Sequence, residues 1–349
     1  MVEIVKDSVF FFIPGFLGSE LHGKKGKEDE YIWGSNGARN LNMMVLSPEK
    51  LTLNKINNNV VVGPVLRSVS GLFKDKIVYG DLIDFLCSKE GLWLMLGDNF
   101  FVFPYDWRED IFISAENFCE YILSVVKDKK EKNIIIISHS LGGLITRVMI
   151  SKNHQILNNI VKHIQIASPV DGSAVAYKAL RGFPDLNMTI PNCLISTTQK
   201  LPRRQKNKIK NIFQGFYSVF QSLPPEEEKI LLNDNYSNSA LDKSVWKNKD
   251  RYIDLAKKAR TIISNNDHAI DTVCIYSAKY STDSSYYVSK RYKINAINVK
   301  NGDNTVLSNS ACAYSEFDNC CEIDNGDCDH VSICSNPDLF NKILEVCNG

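Results

Sequence analysis

The chain has 349 residues, 44% of them hydrophobic and 10% aromatic, with a formal net charge of +1. This composition excludes a disordered or fibrous chain, and the balanced charge gives no global field for a nucleic-acid partner, so none is expected. The length is enough for one large α/β domain with an inserted cap.

At the amino terminus Glu3 lies close to Lys6, and Pro14-Gly15 interrupts the apolar stretch from Val9 to Phe16. This reads neither as a signal-peptide core nor as a spanning helix, so a cytoplasmic or peripheral-membrane location is expected, with leaderless export left open. Val9-Phe10-Phe11-Phe12-Ile13 reads instead as a buried first strand. It ends in Pro14-Gly15-Phe16-Leu17-Gly18-Ser19, a turn that exposes backbone N–H donors. Residues 23–59 are polar and turn-rich and read as an excursion from the core, followed by a short strand at Val60-Val61-Val62. Leu82, Ile83, Phe85 and Leu86 mark a helix, and Phe100-Phe101-Val102-Phe103 another buried strand. Tyr105-Asp106-Trp107-Arg108 closes that strand, where Asp106 and Arg108 are expected to pair and hold the loop. Phe118, Tyr121, Ile122, Val125 and Val126 then form a helical stripe.

Ile134-Ile135-Ile136-Ile137 has no polar alternation, as in a strand buried on both faces of a parallel sheet. It runs into Ser138-His139-Ser140-Leu141-Gly142-Gly143, after which Leu144, Ile145, Val148 and Met149 give a helical stripe. Ser140 therefore sits in a sharp strand-to-helix turn, a nucleophile elbow in which Ser138 replaces the usual first glycine of Gly-x-Ser-x-Gly. An acyl-transfer serine needs two amide donors for a developing oxyanion, and the N–H groups of Phe16 and Leu141 are the candidates.

Ile164-Gln165-Ile166-Ala167 is a further strand, and the alternation of strand and helix to this point predicts a parallel sheet with right-handed crossovers. The alternation stops over residues 177–270, which read as a cap over the carboxyl edge of the sheet. Within it, Arg203, Arg204, Lys206, Lys208 and Lys210 lead into Ile209, Ile212, Phe213, Phe216, Phe220 and Leu223 at helical spacing. Two readings are open: contact with an anionic lipid surface, or a cap helix packed on the body with its basic end solvated. Strand pattern resumes at Val273-Cys274-Ile275-Tyr276.

A strand from Ile294 to Val299 runs into Gly302-Asp303-Asn304-Thr305-Val306, placing Asp303 in a turn at a strand end. His330 lies in a loop before Asn336-Pro337, the start of a last helix. The order Ser140, Asp303, His330 is that of a hydrolase triad, with His330 as base and Asp303 orienting the imidazole. Of the other histidines, His139 is expected to pack beneath the turn, while His22, His154, His163 and His268 lack this late loop position. Cys87, Cys119, Cys193 and Cys274 read as buried thiols. Cys312, Cys320, Cys321, Cys328, Cys334 and Cys347 cluster late without a C-x-x-C knuckle, which argues against zinc and favours free thiols over local disulfides.

Taken together, the Pro14 to Ser19 loop, Tyr105-Asp106-Trp107-Arg108, the Ser138 to Gly143 elbow, Ser168-Pro169 with Gly172-Ser173, Gly302 to Val306 and His330 resemble the lecithin:cholesterol acyltransferase family of α/β-hydrolases, which includes lysosomal phospholipase A2-like acyltransferases. The resemblance implies attack by Ser140 on an acyl ester of a lipid, and transfer of the acyl group to water or an alcohol. The departures are Ser138, Asn304 where the family often has glycine, and a cap that does not align. The expected fold is a mostly parallel sheet flanked by helices, with core segments 1–176 and 271–349 and a cap at 177–270. The expected function is a serine-dependent lipid acyl hydrolase or acyltransferase without metal or organic cofactor, in contact with its lipid or acyl-ester substrate and with a membrane surface. An esterase or thioesterase for soluble acyl compounds, and a non-catalytic membrane-binding homologue, are the alternatives.

Overall fold

The computed structural model describes residues 7–25, 28–53, 60–71, 75–127, 132–152, 158–183, 201–265, 270–289 and 294–348. Glu3, Lys6, His154, Cys193 and His268 lie outside them. A six-stranded sheet forms the centre, in the order Cys320–Glu322, Thr272–Tyr276, Ile160–Ile166, Asn133–His139, Ser8–Ile13, Phe100–Val102. Every neighbouring pair is parallel. Strands covered on both faces need no polar side, which is why Ser8–Ile13 is buried at every position and the four isoleucines of the elbow strand are fully buried. The in-register pairing of Phe12 with Ile137 and of Ile13 with Ser138 brings the ends of these two strands, and so the loops that follow them, side by side.

Helix Ile111–Val126 precedes the elbow strand, with Asp110 capping its first turn through the Phe112 N–H (3.1 Å). Helix Leu141–Lys152 follows the strand, and its residues from Leu141 to Ile150 are all buried. The excursion after the first strand contains a three-stranded antiparallel sheet made of Ser19–Lys25, Glu28–Trp33 and Val60–Val65.

The strand leading to Asp303 is not part of the central sheet. Ile294–Gly302 forms an antiparallel hairpin with Tyr280–Val288, and this hairpin joins Leu231–Leu232 and Ser237–Asn238 in a separate four-stranded sheet. Residues 271–349 thus feed two sheets, one of which takes strands from the stretch read as a cap. Among the described residues, no helix is long and apolar enough to cross a membrane, and no cluster of His, Cys, Asp and Glu is arranged to hold a metal ion. The described cysteines carry free thiols.

Candidate active site

Ser140 lies between the elbow strand and its helix with φ at +52°, in the left-handed region that a residue with a side chain enters at a cost of about 1–3 kcal/mol. Hydrogen bonds hold it there: its N–H donates to the Ile166 carbonyl (2.9 Å), and its carbonyl accepts from the Gly143 N–H (3.0 Å). The two glycines that follow are required by contact. A Cβ on Gly142 would lie 2.6 Å from the Ile13 carbonyl oxygen, and one on Gly143 would lie 2.0 Å from Ser168 Oγ. Ser138, the departure from the glycine pattern, is buried with its Oγ 2.7 Å from Nε2 of the equally buried His163.

The chain brings Ser140, Asp303 and His330 together. Asp303 Oδ1 accepts the N–H groups of Thr305 (2.9 Å) and Val306 (2.7 Å), which fixes the turn and leaves Oδ2 to His330 Nδ1 at 2.8 Å. The His330 N–H donates to the Asp303 carbonyl (2.9 Å), so backbone and side chain are both aligned. His330 Nε2 then stands 2.8 Å from Ser140 Oγ. An ionised carboxylate only accepts, so the imidazole proton sits on Nδ1 and the Nε2 lone pair faces the serine hydroxyl. All three side chains belong to residues less than a tenth exposed. Asn304, where glycine was the alternative, has φ at +74°, and its N–H donates to Thr282 Oγ1 (2.9 Å).

Phe16 and Leu141 both border the pocket that contains Ser140 and His330. Among the described residues, neither N–H has a hydrogen-bond acceptor, which leaves two donors for an anionic oxygen. The Phe16 loop is braced by the Tyr105 to Arg108 segment: the Tyr105 hydroxyl donates to the Pro14 carbonyl (2.9 Å) and the Trp107 indole N–H to the Ser19 carbonyl (3.1 Å). Arg108 grips Asp106 with Nε (2.8 Å) and Nη2 (2.6 Å), and its Nη1 donates to the Leu51 carbonyl (3.1 Å). Here the sequence pointed to the right pair: it closes its own loop after Phe100–Val102, and Arg108 ties that loop to Leu51.

The pocket is mostly apolar, about 860 Å³ with its open mouth, and Leu17, Val175, Ala179, Phe213 and Val219 form much of its wall. Of the two readings open for the 203–223 segment, a phenylalanine face offered to lipid or an apolar face packed on the body, the structure has the second. Phe213, Phe216, Phe220 and Leu223 are fully buried, and the Phe213 and Phe216 rings lie 6.2 and 6.5 Å from Phe16. The helix Arg203–Phe213 breaks around Gly215 before Tyr217–Gln221, so the apolar side chains turn inward on two short helices, with Arg203 and Arg204 exposed. Two residues at the site had no functional reading from sequence. Tyr79 carries no motif at all, and sequence alone gives His139 only a packing place beneath the turn; both are fully buried.

Residues 115–212, which include the elbow, match the PGAP1-like alpha/beta domain. A chain of the Tle4–Tli4 complex superposes with a TM-score of 0.65 at 13% identity, covering 97% of this chain and 98% of that one. The fold is that of an α/β-hydrolase. Two further structures superpose less closely. Phospholipase PlaB from Legionella pneumophila gives a TM-score of 0.28 at 15% identity over 50% of this chain and 27% of its own. The mature lipase BlEst2 of Bacillus licheniformis gives 0.32 at 12% identity over 98% and 92%. Among curated proteins, none matches the sequence. The domain match and the Tle4–Tli4 superposition carry the fold, and not the narrower lecithin:cholesterol acyltransferase resemblance.

Proposed function

We propose that the chain is a serine hydrolase for carboxylic esters with an apolar acyl group, lipids among them, working through an acyl-enzyme on Ser140. The observation that carries this reading is the unbroken line from Asp303 Oδ2 through His330 to Ser140 Oγ, each link 2.8 Å, beside two unclaimed amides and an apolar pocket. His330 Nε2 takes the Ser140 proton as Oγ adds to the ester carbonyl carbon. The Phe16 and Leu141 N–H groups stabilise the resulting oxyanion, and Asp303 stabilises the imidazolium. His330 then gives the proton to the departing alkoxide, leaving the acyl group on Ser140. Water activated by the same histidine releases the acid. An alcohol in place of water would give acyl transfer, the second of the two outcomes that the family resemblance implies. Residues 177–270 would serve as the cap, with Phe213 and Val219 meeting the acyl chain.

A fluorophosphonate probe and p-nitrophenyl esters of butyrate and decanoate test this together. Ser140 should be labelled and both esters cleaved, with Ser140→Ala unlabelled and slower by about three or more orders of magnitude. A folded wild-type protein that neither labels nor cleaves would leave a non-catalytic homologue. Products formed with and without a long-chain alcohol distinguish hydrolysis from transfer.

A further inference from the structure

Beneath Ser140, three hydrogen bonds connect the two loops on which the proposed reaction depends. The Gly15 N–H donates to the Tyr79 hydroxyl oxygen (2.8 Å), that oxygen lies 2.8 Å from His139 Nδ1, and His139 Nε2 lies 2.8 Å from the His330 carbonyl oxygen. The proton positions follow from the groups themselves. An amide N–H only donates, so the phenol oxygen accepts there and sends its own proton to Nδ1. A carbonyl only accepts, so His139 Nε2 carries the imidazole proton. One neutral tautomer of His139 thus satisfies all three bonds. Burial, and after it the nearby His330, bring the His139 pKa down to about 3, which agrees with an uncharged ring.

The peptide between Gly15 and Phe16 decides where one oxyanion donor points. Its carbonyl accepts from the Gly18 N–H (3.1 Å), and in a planar trans peptide the following N–H points the opposite way. The Gly15 backbone also lies close upon the relay: a Cβ there would be 2.8 Å from Ser140 Cβ and 3.0 Å from His139 Nδ1. Only glycine fits, and glycine's wide φ range means this peptide rotates readily unless something holds it. Tyr79 holds the preceding Pro14–Gly15 peptide through the Gly15 N–H, while the Gly18 N–H holds the Gly15 carbonyl, so the planes on both sides of the Gly15 Cα are fixed. At the far end of the chain of bonds, His139 fixes the backbone from which His330 projects.

We infer that Tyr79 and His139 are positioning residues, forming a neutral relay that keeps the Gly15–Phe16 peptide and the His330 loop in register around Ser140. This rests on the serine-hydrolase reading, and the experiment separates the two. Tyr79→Phe removes one oxygen and keeps the ring, which packs edge-on against Phe12 at 5.1 Å. His139→Gln retains a donor toward the His330 carbonyl, whereas His139→Ala does not. Each full-length variant is assayed with a short soluble p-nitrophenyl ester, its concentration set by active-site titration, and with a trifluoromethyl ketone. The ketone reports the oxyanion site: Ser140 Oγ adds to its carbonyl carbon, the serine proton passes to His330, and a tetrahedral oxyanion remains.

Tyr79→Phe should lower kcat by about 10- to 100-fold, a part of the 10²–10³ that loss of an oxyanion donor costs, with KM changed by less than about twofold. Ketone affinity should weaken by the same factor, and His139→Gln should keep more of kcat than His139→Ala. Wild-type kcat in Tyr79→Phe, or unchanged ketone affinity in titrated protein with equal losses in the two His139 variants, overturns the relay. Failure of the wild-type protein to label at Ser140 removes the underlying reading instead.

Discussion

Asp303→Asn exchanges one atom for another of nearly equal size, and the surrounding backbone dictates its effect. Oδ1 accepts two N–H groups, from Thr305 and Val306, so the asparagine must keep its carbonyl oxygen there and turn its NH₂ toward His330 Nδ1. An NH₂ group only donates, so His330 must then offer a lone pair at Nδ1 and carry its proton on Nε2, facing Ser140 Oγ. In that tautomer the histidine cannot accept the serine proton. Flipping the amide would restore the working tautomer, but it would set NH₂ against two N–H donors in a residue 1% exposed. Two buried groups left unsatisfied cost about 1–3 kcal/mol each. With the charge that stabilises the imidazolium also lost, kcat should fall by about four orders of magnitude. The Thr305 and Val306 bonds survive, so the thermal midpoint should stay close to that of the wild type. The assay is kcat on a soluble p-nitrophenyl ester beside a thermal melt, with Asp303→Ala for comparison; alanine imposes no tautomer, so asparagine should be no more active than alanine. An Asn variant within tenfold of wild type, or one far above the Ala variant, would refute the assignment of Asp303.

Arg108→Ala should destabilise the fold by about 2–4 kcal/mol, read as a shift in the urea midpoint, because Asp106 is left unpaired and the Leu51 carbonyl loses a donor. The 17% exposure of the Asp106 side chain keeps the loss below the upper end for buried pairs, activity per folded molecule should be unchanged, and a stable but inactive variant would mean that Arg108 touches substrate. Acid should also unfold the chain through its buried neutral histidines: burial lowers the pKa of both His139 and His163 to about 3, against about 6.5 when unfolded. Between those values the unfolded chain binds more protons than the folded one, so stability rises with pH and is lost as pH falls from about 6.5 toward 3. His163→Gln should flatten the dependence of urea-unfolding free energy on pH by about one proton over that window, and an unchanged slope would show that His163 is not buried neutral.

The elbow was legible because two signals coincide in it: an isoleucine run that only a doubly covered strand accommodates, and two glycines whose Cβ positions are occupied by Ile13 and Ser168. The Asp106–Arg108 pair was legible because its members are two residues apart. Which sheet a strand joins was not, since the Ile294–Gly302 pattern looks the same beside Thr272–Tyr276 as beside Tyr280–Val288. The cap segment showed a different limit. Helical spacing identifies an apolar face but not what covers it, and only the fold shows Phe213 and Phe216 meeting Phe16. Tyr79 was invisible for a third reason: its partners Gly15 and His139 are far away along the chain, and nothing local marks its hydroxyl as buried.

Ser138 and Asn304, which stand where the resembled sequences often have glycine, answer different physical demands. At 304 the demand is conformational, since φ is +74° and asparagine is among the few residues with a side chain that enter the left-handed region readily. At 138 the demand is for a small group facing the next strand, and there a hydroxyl does what a hydrogen atom cannot. It gives His163 Nε2 a partner at 2.7 Å, in a ring that is fully buried and whose Nδ1 has no partner among the described residues. A glycine at 138 would leave both ring nitrogens of His163 without a bond directly behind the elbow. Serine at this position and histidine on the neighbouring strand therefore stand as one unit, and the elbow keeps its shape without the usual glycine because its underside is paired across the sheet.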